Sequence, residues 1–461
     1  VQINTLMRKP NMPLSVETFT SNLTYQDLSE DMRALLRASF VDTMGVAAIG
    51  ARTEMSKIAC KTAATLFGPA SGGASRMLMD GRTVSPAGAA MAGGFTVDSI
   101  DAHDGTTPNK GHAGSAVFPA LLAVADAQRS LGRAITGADF AVWLAIAYEV
   151  SYRAGQVQHA TCPDYHTSGA WTAVGVAAAI ARILNATPDQ IRHAVGIAEY
   201  HGPRSQMMRC IDFPTMVRDG VGWGAPSGVT AAYLALEGFT GAPALTCESA
   251  EATPFWEDLG TDWLTLKHTH YKKYPCCRWA HPSMDAALEL MTQNALHHSH
   301  IAKVEIRTFH YATRLAGHTP SSMDELAYSI AFPVATMIVR GSFGAAEMSP
   351  DILTDADILR VSSAVELNDD EELTRKSVNQ RWAAVTLITN DGQRFAASPK
   401  TPRGDIDQPL SDQEMLEKYR MFAVPILGAE RAEHMRVLCA SFDTLNAMEF
   451  SALLDLLLRK A

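Results

Sequence analysis

Between residues 29 and 50 the apolar positions recur every three or four residues, which predicts an amphipathic helix. Ser29 can cap it, Glu30 and Asp31 fall in its first turn, and Gly50 stands at its end. Helices are also predicted over 116–131 and 137–155. Residues 167–185 carry a run of small apolar side chains that suits a closely packed buried helix. Thr187 followed by Pro188 supplies a cap and a first turn for a helix to about 200, and a further helix over 224–238 stops near Gly238.

After about residue 268 the periodicity changes. Residues 303–310 alternate with period two, placing Val304 and Ile306 on one face of a strand. Residues 382–389 and 394–396 read as a hairpin about Asn390-Asp391-Gly392. Helices near 322–340 and 351–360 lie between these strands. The pattern then returns to helix: Ser411 and Glu414 form a capping box, and 445–459 reads as a terminal helix. The expected fold is mainly α with an α+β insert. A large helical domain is built from both chain ends, 1–268 and 408–461, and a smaller α+β lid domain spans 269–407, with the charged stretch 399–409 as the crossing.

A length of 461 residues favours two cores over one. A net charge of −10 argues against nucleic acid and anionic membrane as partners, but leaves room for a locally basic pocket and a small anionic substrate. The seven cysteines are scattered and odd in number, so a reducing compartment fits better than a disulfide framework. No apolar run is long enough to span a bilayer, and no basic-then-apolar secretory start precedes the first helix. A cytoplasmic location is expected, although the opening Val1 leaves targeting open.

Chemistry concentrates in four places. The run from Asp98 to His112 packs Asp101, His103, Asp104 and His112 among glycines and hydroxyls, ahead of Ala113-Gly114-Ser115. These are metal-ligand types, but no second ligand knot accompanies them, so a metal-free proton-transfer site is expected over a metal centre or simple helix capping. The island Asp164–Gly169 places His166 at a helix start, where the positive helix end favours a neutral ring fit to act as a base, or where it is merely a cap. Arg204, Arg209 and Arg218 flank a Gly- and Met-rich stretch. An arginine there can grip a carboxylate, although a surface ion pair explains any single one equally. Tyr271-Lys272-Lys273-Tyr274-Pro275-Cys276-Cys277-Arg278 stands at the expected domain junction. A lysine between aromatics can serve acid/base work, adjacent lysines also suit a solvated face, and thiol nucleophile chemistry is the lesser reading.

In these motifs the chain resembles the MmgE/PrpD family, which includes 2-methylcitrate dehydratases, cis-aconitate decarboxylases and iminodisuccinate epimerases. The resemblance rests on the order and spacing of the Asp-rich run ending in His112–Pro119, Tyr165–Gly169, Met216–Gly220 with Gly238–Gly241, and Lys272–Cys277. It implies a homodimer with a cofactor-free site between a helical domain and an inserted lid. It carries the decarboxylases' aspartate onto Asp101, their threonine onto Thr106, their histidines onto His112 and His166, and the family lysine onto Lys272. Two departures stand out. The Asp-to-His loop is one residue longer here, and Arg218 replaces a frequent lysine. A lid tyrosine of the decarboxylases has no secure match, with Tyr311 only nearby.

The expectation is therefore a lyase, a dehydratase or decarboxylase, acting on a di- or tricarboxylate such as 2-methylcitrate or cis-aconitate. The alternatives are a dicarboxylate epimerase or isomerase and an inactive carboxylate-binding protein. His112, His166 and Lys272 are the acid/base candidates, with Asp101 orienting an imidazole. Arg218, Thr106, His103 and Lys273 are the substrate-binding candidates, and no metal or cofactor is expected.

Overall fold

The computed structural model describes residues 14–69, 73–315 and 317–461. Residues 1–13, the start of the expected helical domain, lie outside the described residues.

The larger hydrophobic core is helical and draws on both ends of the chain. Its helices include Glu30–Gly50, Pro86–Asp98, Gly114–Ser130, Gly137–Thr161, Gly169–Ile183, Pro188–His201 and Val221–Leu236. Asp412–Leu427, Ala429–Ala440 and Ala447–Leu457 complete the same core from the C-terminal side. Phe40 shows how the ends meet, with its ring centroid 5.0 Å from Phe118 and 5.1 Å from Phe442. Local chemistry sets the helix starts. The side chains of Ser29, Thr187 and Ser411 accept from the amides of Met32, Gln190 and Glu414.

Gly50 closes its helix for a reason other than capping. A Cβ there would stand 2.1 Å from the carbonyl oxygen of Thr96, so glycine permits the close approach of Pro86–Asp98. That second helix is buried on nearly every side, which is why no apolar stripe marks it in the sequence.

The smaller core belongs to the α+β part. Its four-stranded sheet runs in the order Val365–Asp369, Ile301–Thr308, Ala383–Thr389, Arg394–Ala396. The first pair is parallel and the other two are antiparallel. Helices His281–Gln293, Ala331–Arg340 and Ala356–Ser363 complete this part. The helix expected over 322–340 is broken in two, Met323–Ala327 and Ala331–Arg340, because the Ile330 amide donates to Leu315 O at 2.8 Å instead of within a helix. The helix expected near 351 begins at Ala356, where the Asp355 side chain caps it. Met207, Cys210 and Ile211 come from the helical half of the sequence but pack in this smaller core.

Two features matter for the site. Strand Asp104–Thr106 pairs antiparallel with Thr269–Tyr271, joining the Asp- and His-rich loop to the segment that carries Lys272. Among the described residues, no single helix is long and apolar enough to cross a membrane.

Candidate active site

The antiparallel pairing places Gly105 opposite His270, and a Cβ on Gly105 would lie 2.6 Å from His270 Nε2. A glycine is needed for the two segments to pack this closely. Just before this strand, Asp101 adopts the left-handed region, with φ 52°. Lys272 Nζ donates to Asp101 O at 2.9 Å and also to its carboxylate. Both side chains are almost fully removed from solvent.

The histidines form a chain. His112 Nδ1 and His103 Nδ1 both meet the carbonyl oxygen of Asp104, at 2.9 and 3.1 Å. A carbonyl only accepts, so each Nδ1 carries its hydrogen. Burial first, and then the Lys272 and His103 charges, push the His112 pKa well below the usual histidine value. His112 is therefore neutral, and its Nε2 presents a lone pair. That atom stands 3.8 Å from Asp101 Oδ1 and 3.7 Å from Asp219 Oδ2.

His103 lies edge-on to His112, with centroids 4.2 Å apart, and its Nε2 is 2.9 Å from Asp98 Oδ1. Burial and the nearby Asp98 raise the Asp219 pKa to about 7 against the opposing hydrogen bonds of Ser168. Ser168 donates its amide to Asp219 Oδ1 at 2.9 Å and accepts the His112 amide at 2.9 Å. Asp104 holds the scaffold: its carboxylate accepts from Tyr148 Oη at 2.6 Å and from the Gly114 amide at 3.1 Å.

A small cleft opens beside this network. Of the expected residues, Asp101, Thr106, His112 and Lys272 line it. His103 supports His112 from behind. His166 is buried outside the lining, next to Tyr165, which does line it, and neither of its ring nitrogens has a partner among the described residues. Arg218 is also buried outside the lining. Its Nη2 donates to Ser99 O at 2.8 Å and to Asp324 Oδ1 at 2.6 Å, tying the helical part to the α+β part. Lys273 turns to Asp285, 3.7 Å away, and to the face of Tyr274.

The sequence reading missed much of the wall. Lys110, Tyr165, His270, Arg278, Tyr328 and Arg381 all line the cavity. Tyr328, not the exposed Tyr311, is the α+β tyrosine at the site. Arg278 Nη1 lies 2.6 Å from His270 Nε2, 3.0 Å from Thr107 Oγ1 and 3.1 Å from Asp405 Oδ1. Burial and Arg278 hold His270 neutral, well below its usual pKa. Cys277 also faces the cavity, but burial pushes its thiol up to about 12, which leaves almost no thiolate to act as a nucleophile.

Asp101, His103 and His112 bring one ligand-type atom each within 4.8 Å of one another. Lys272 already occupies the Asp101 carboxylate, and Asp98 faces His103 Nε2. An ammonium group beside the three donors opposes a dication, so the donor set suits proton transfer better.

The sequence comparisons agree with this architecture. The model of the MmgE/PrpD N-terminal domain matches residues 15–252, and that of the MmgE/PrpD C-terminal domain matches 274–444. A cis-aconitate decarboxylase of Aspergillus terreus is 24% identical, covering 95% of this chain and 94% of its own length. A cis-aconitate decarboxylase-like protein of Aspergillus oryzae is 22% identical over 94% of this chain and 95% of its own, and the Homo sapiens cis-aconitate decarboxylase is 22% identical over 88% and 86%. With both family domains matched in order across most of its length, the chain belongs to the MmgE/PrpD family.

Proposed function

We propose that this protein is a lyase, a dehydratase or decarboxylase, that moves a proton at a carbon next to a carboxylate in a di- or tricarboxylate such as 2-methylcitrate or cis-aconitate. One observation carries the reading. A neutral histidine, His112, with its tautomer fixed by Asp104 O, stands at a buried cavity whose other charged walls are mainly cationic: Lys110, Lys272, Arg278 and Arg381 against Asp101. The names of the relatives support the same reaction class.

In dehydration, His112 Nε2 takes the proton from the carbon beside the carboxylate. The C–H electron pair becomes the new double bond, the C–O bond breaks, and the hydroxyl leaves as water after taking a proton from Lys272. In decarboxylation, the C–C bond to one carboxylate breaks, carbon dioxide departs, and the electron pair left behind accepts a proton at carbon from the same acid/base set. Both routes build negative charge in a pocket lined by buried cations, which stabilise it more strongly than bulk water would. Asp101 holds Lys272 in place, and Thr106 on the wall can donate to a substrate oxygen. His166 stands behind Tyr165, outside the lining, so any part it takes in the proton transfer runs through that wall.

Activity should not depend on a divalent ion. The protein is proposed to work in the cytoplasm, where its seven unpaired thiols stay reduced. It is further proposed to pair as a homodimer, for which the exposed Phe213, Val217 and Trp223, gathered about one surface depression, supply an apolar patch. The test is to incubate the protein with citrate, 2-methylcitrate, cis-aconitate and iminodisuccinate and follow each by proton NMR. Loss of water or carbon dioxide from one of the first three supports the lyase. Inversion of iminodisuccinate without loss of a group replaces it with the epimerase.

A further inference from the structure

Two buried guanidinium groups reach the cavity from the α+β part, and neither donates or takes the proton in the transfer above. Arg278 is partly neutralised by Asp405, 3.1 Å away. Arg381 is not. It is 6% exposed, yet among the described residues no carboxylate pairs with it. Its protein hydrogen bonds run through Nη1 alone, to Ser377 O at 2.9 Å and Gln380 O at 2.7 Å. Its Nε is buried with no partner.

The group is also held in orientation, 5.5 Å from the ring centroid of Phe309 and 6.0 Å from that of Trp279. Burial and the neighbouring Arg278 lower its pKa to about 10, so it remains charged at neutral pH. A charge taken out of water needs an anion beside it; among the described residues the one carboxylate lining the cavity, Asp101, is committed to Lys272, and the nearby Asp405 is paired with Arg278. The guanidinium edge not tied to main-chain carbonyls has the fork geometry that matches a carboxylate.

We propose that Arg381, with Arg278 beside it, is the subsite for a second carboxylate of the substrate, separate from the carboxylate next to the reacting carbon. The inference rests on the polycarboxylate reading above and sharpens it: a substrate with a single carboxylate leaves Arg381 without its counter-ion and is bound poorly.

Titration calorimetry on the full chain tests this with two unreactive probes, propane-1,2,3-tricarboxylate and propionate. Wild type should bind the tricarboxylate far more tightly. Arg381→Gln should weaken tricarboxylate binding by roughly 30-fold or more, as removal of one partner of a buried charge pair does, and leave propionate unchanged. Arg381→Lys keeps the charge but not the fork, and should lose an intermediate amount. It also serves if the glutamine variant does not fold. Equal binding of the tricarboxylate by wild type and both variants overturns the subsite, as does an equal loss for both probes. Arg381-dependent binding without turnover of any carboxylate keeps the subsite and removes the lyase. No binding of the tricarboxylate by wild type removes both.

Discussion

Replacing Lys272 with methionine keeps most of the side-chain volume and deletes the ammonium that faces Asp101. The Asp101 carboxylate is 3% exposed and the lysine side chain 1%, so little solvent reaches the carboxylate to replace the lost partner. An uncompensated buried charge costs about 3–5 kcal/mol. The loss of the hydrogen bond to Asp101 O adds a smaller penalty, at a residue already held in the left-handed region. Turnover should fall by roughly two to four orders of magnitude if Lys272 transfers a proton.

A third consequence follows from the histidine chain. The Lys272 charge is the second cause, after burial, that lowers the His112 pKa. Without it, residual activity should begin to fail at a higher pH on the acid side. The double variant Lys272→Met/Asp101→Asn removes both charges and should regain most of the stability but none of the activity. Stability is read by urea unfolding of the ligand-free protein, and turnover by NMR of the product. If the single variant lost under about 1 kcal/mol, or if the double variant were no more stable than the single, the tight burial of this pair would be refuted.

His112→Ala should lower turnover by roughly two to four orders of magnitude with little change in melting temperature, and near-normal turnover would refute its role as base. His166→Ala breaks no hydrogen bond, so the account predicts a loss of turnover and not of stability; a large drop in melting temperature with near-normal turnover marks the residue as structural. Dialysis against a strong chelator should leave turnover intact, and a loss reversed by one particular metal would move the site to metal chemistry. His112, His270 and His281 all have pKa values well below 6.5, with burial as the first cause. The unfolded chain therefore binds more protons below about pH 6.5, and stability should fall as the pH drops through that range. The raised Asp219 pKa, about 7, acts in the opposite direction as pH rises towards 7, so a stability that improves steadily towards pH 5 would show that the carboxyl outweighs the histidines.

Elements with a local chemical signal were legible in the sequence. The Thr187 cap with Pro188, the capping box at Ser411, and the Asp391-Gly392 turn are specified by residues only a few positions apart. Pro86–Asp98 left no stripe because it is surrounded, and Gly50 looked like a cap because its true partner, Thr96, is distant in sequence. The site divides the same way. His112 and Lys272 stood out because each sits in a dense polar motif. Arg381 and Tyr328 lie in ordinary-looking segments and reach the cavity only through the packing of the α+β part. Arg218 drew attention beside its glycines, but the Asp324 that binds it is more than a hundred positions away.

The most direct test of the central claim is turnover of cis-aconitate and 2-methylcitrate in deuterium oxide, with wild type and His112→Ala compared by proton and deuterium NMR. Wild type should place a solvent deuteron on the carbon that loses carbon dioxide, or, in dehydration, remove the hydrogen from the carbon next to the carboxylate, and the variant should nearly abolish either. Decarboxylation of cis-aconitate by wild type with no deuterium on the product carbon, or His112→Ala matching wild type in labelling or in dehydration of 2-methylcitrate, would contradict the account.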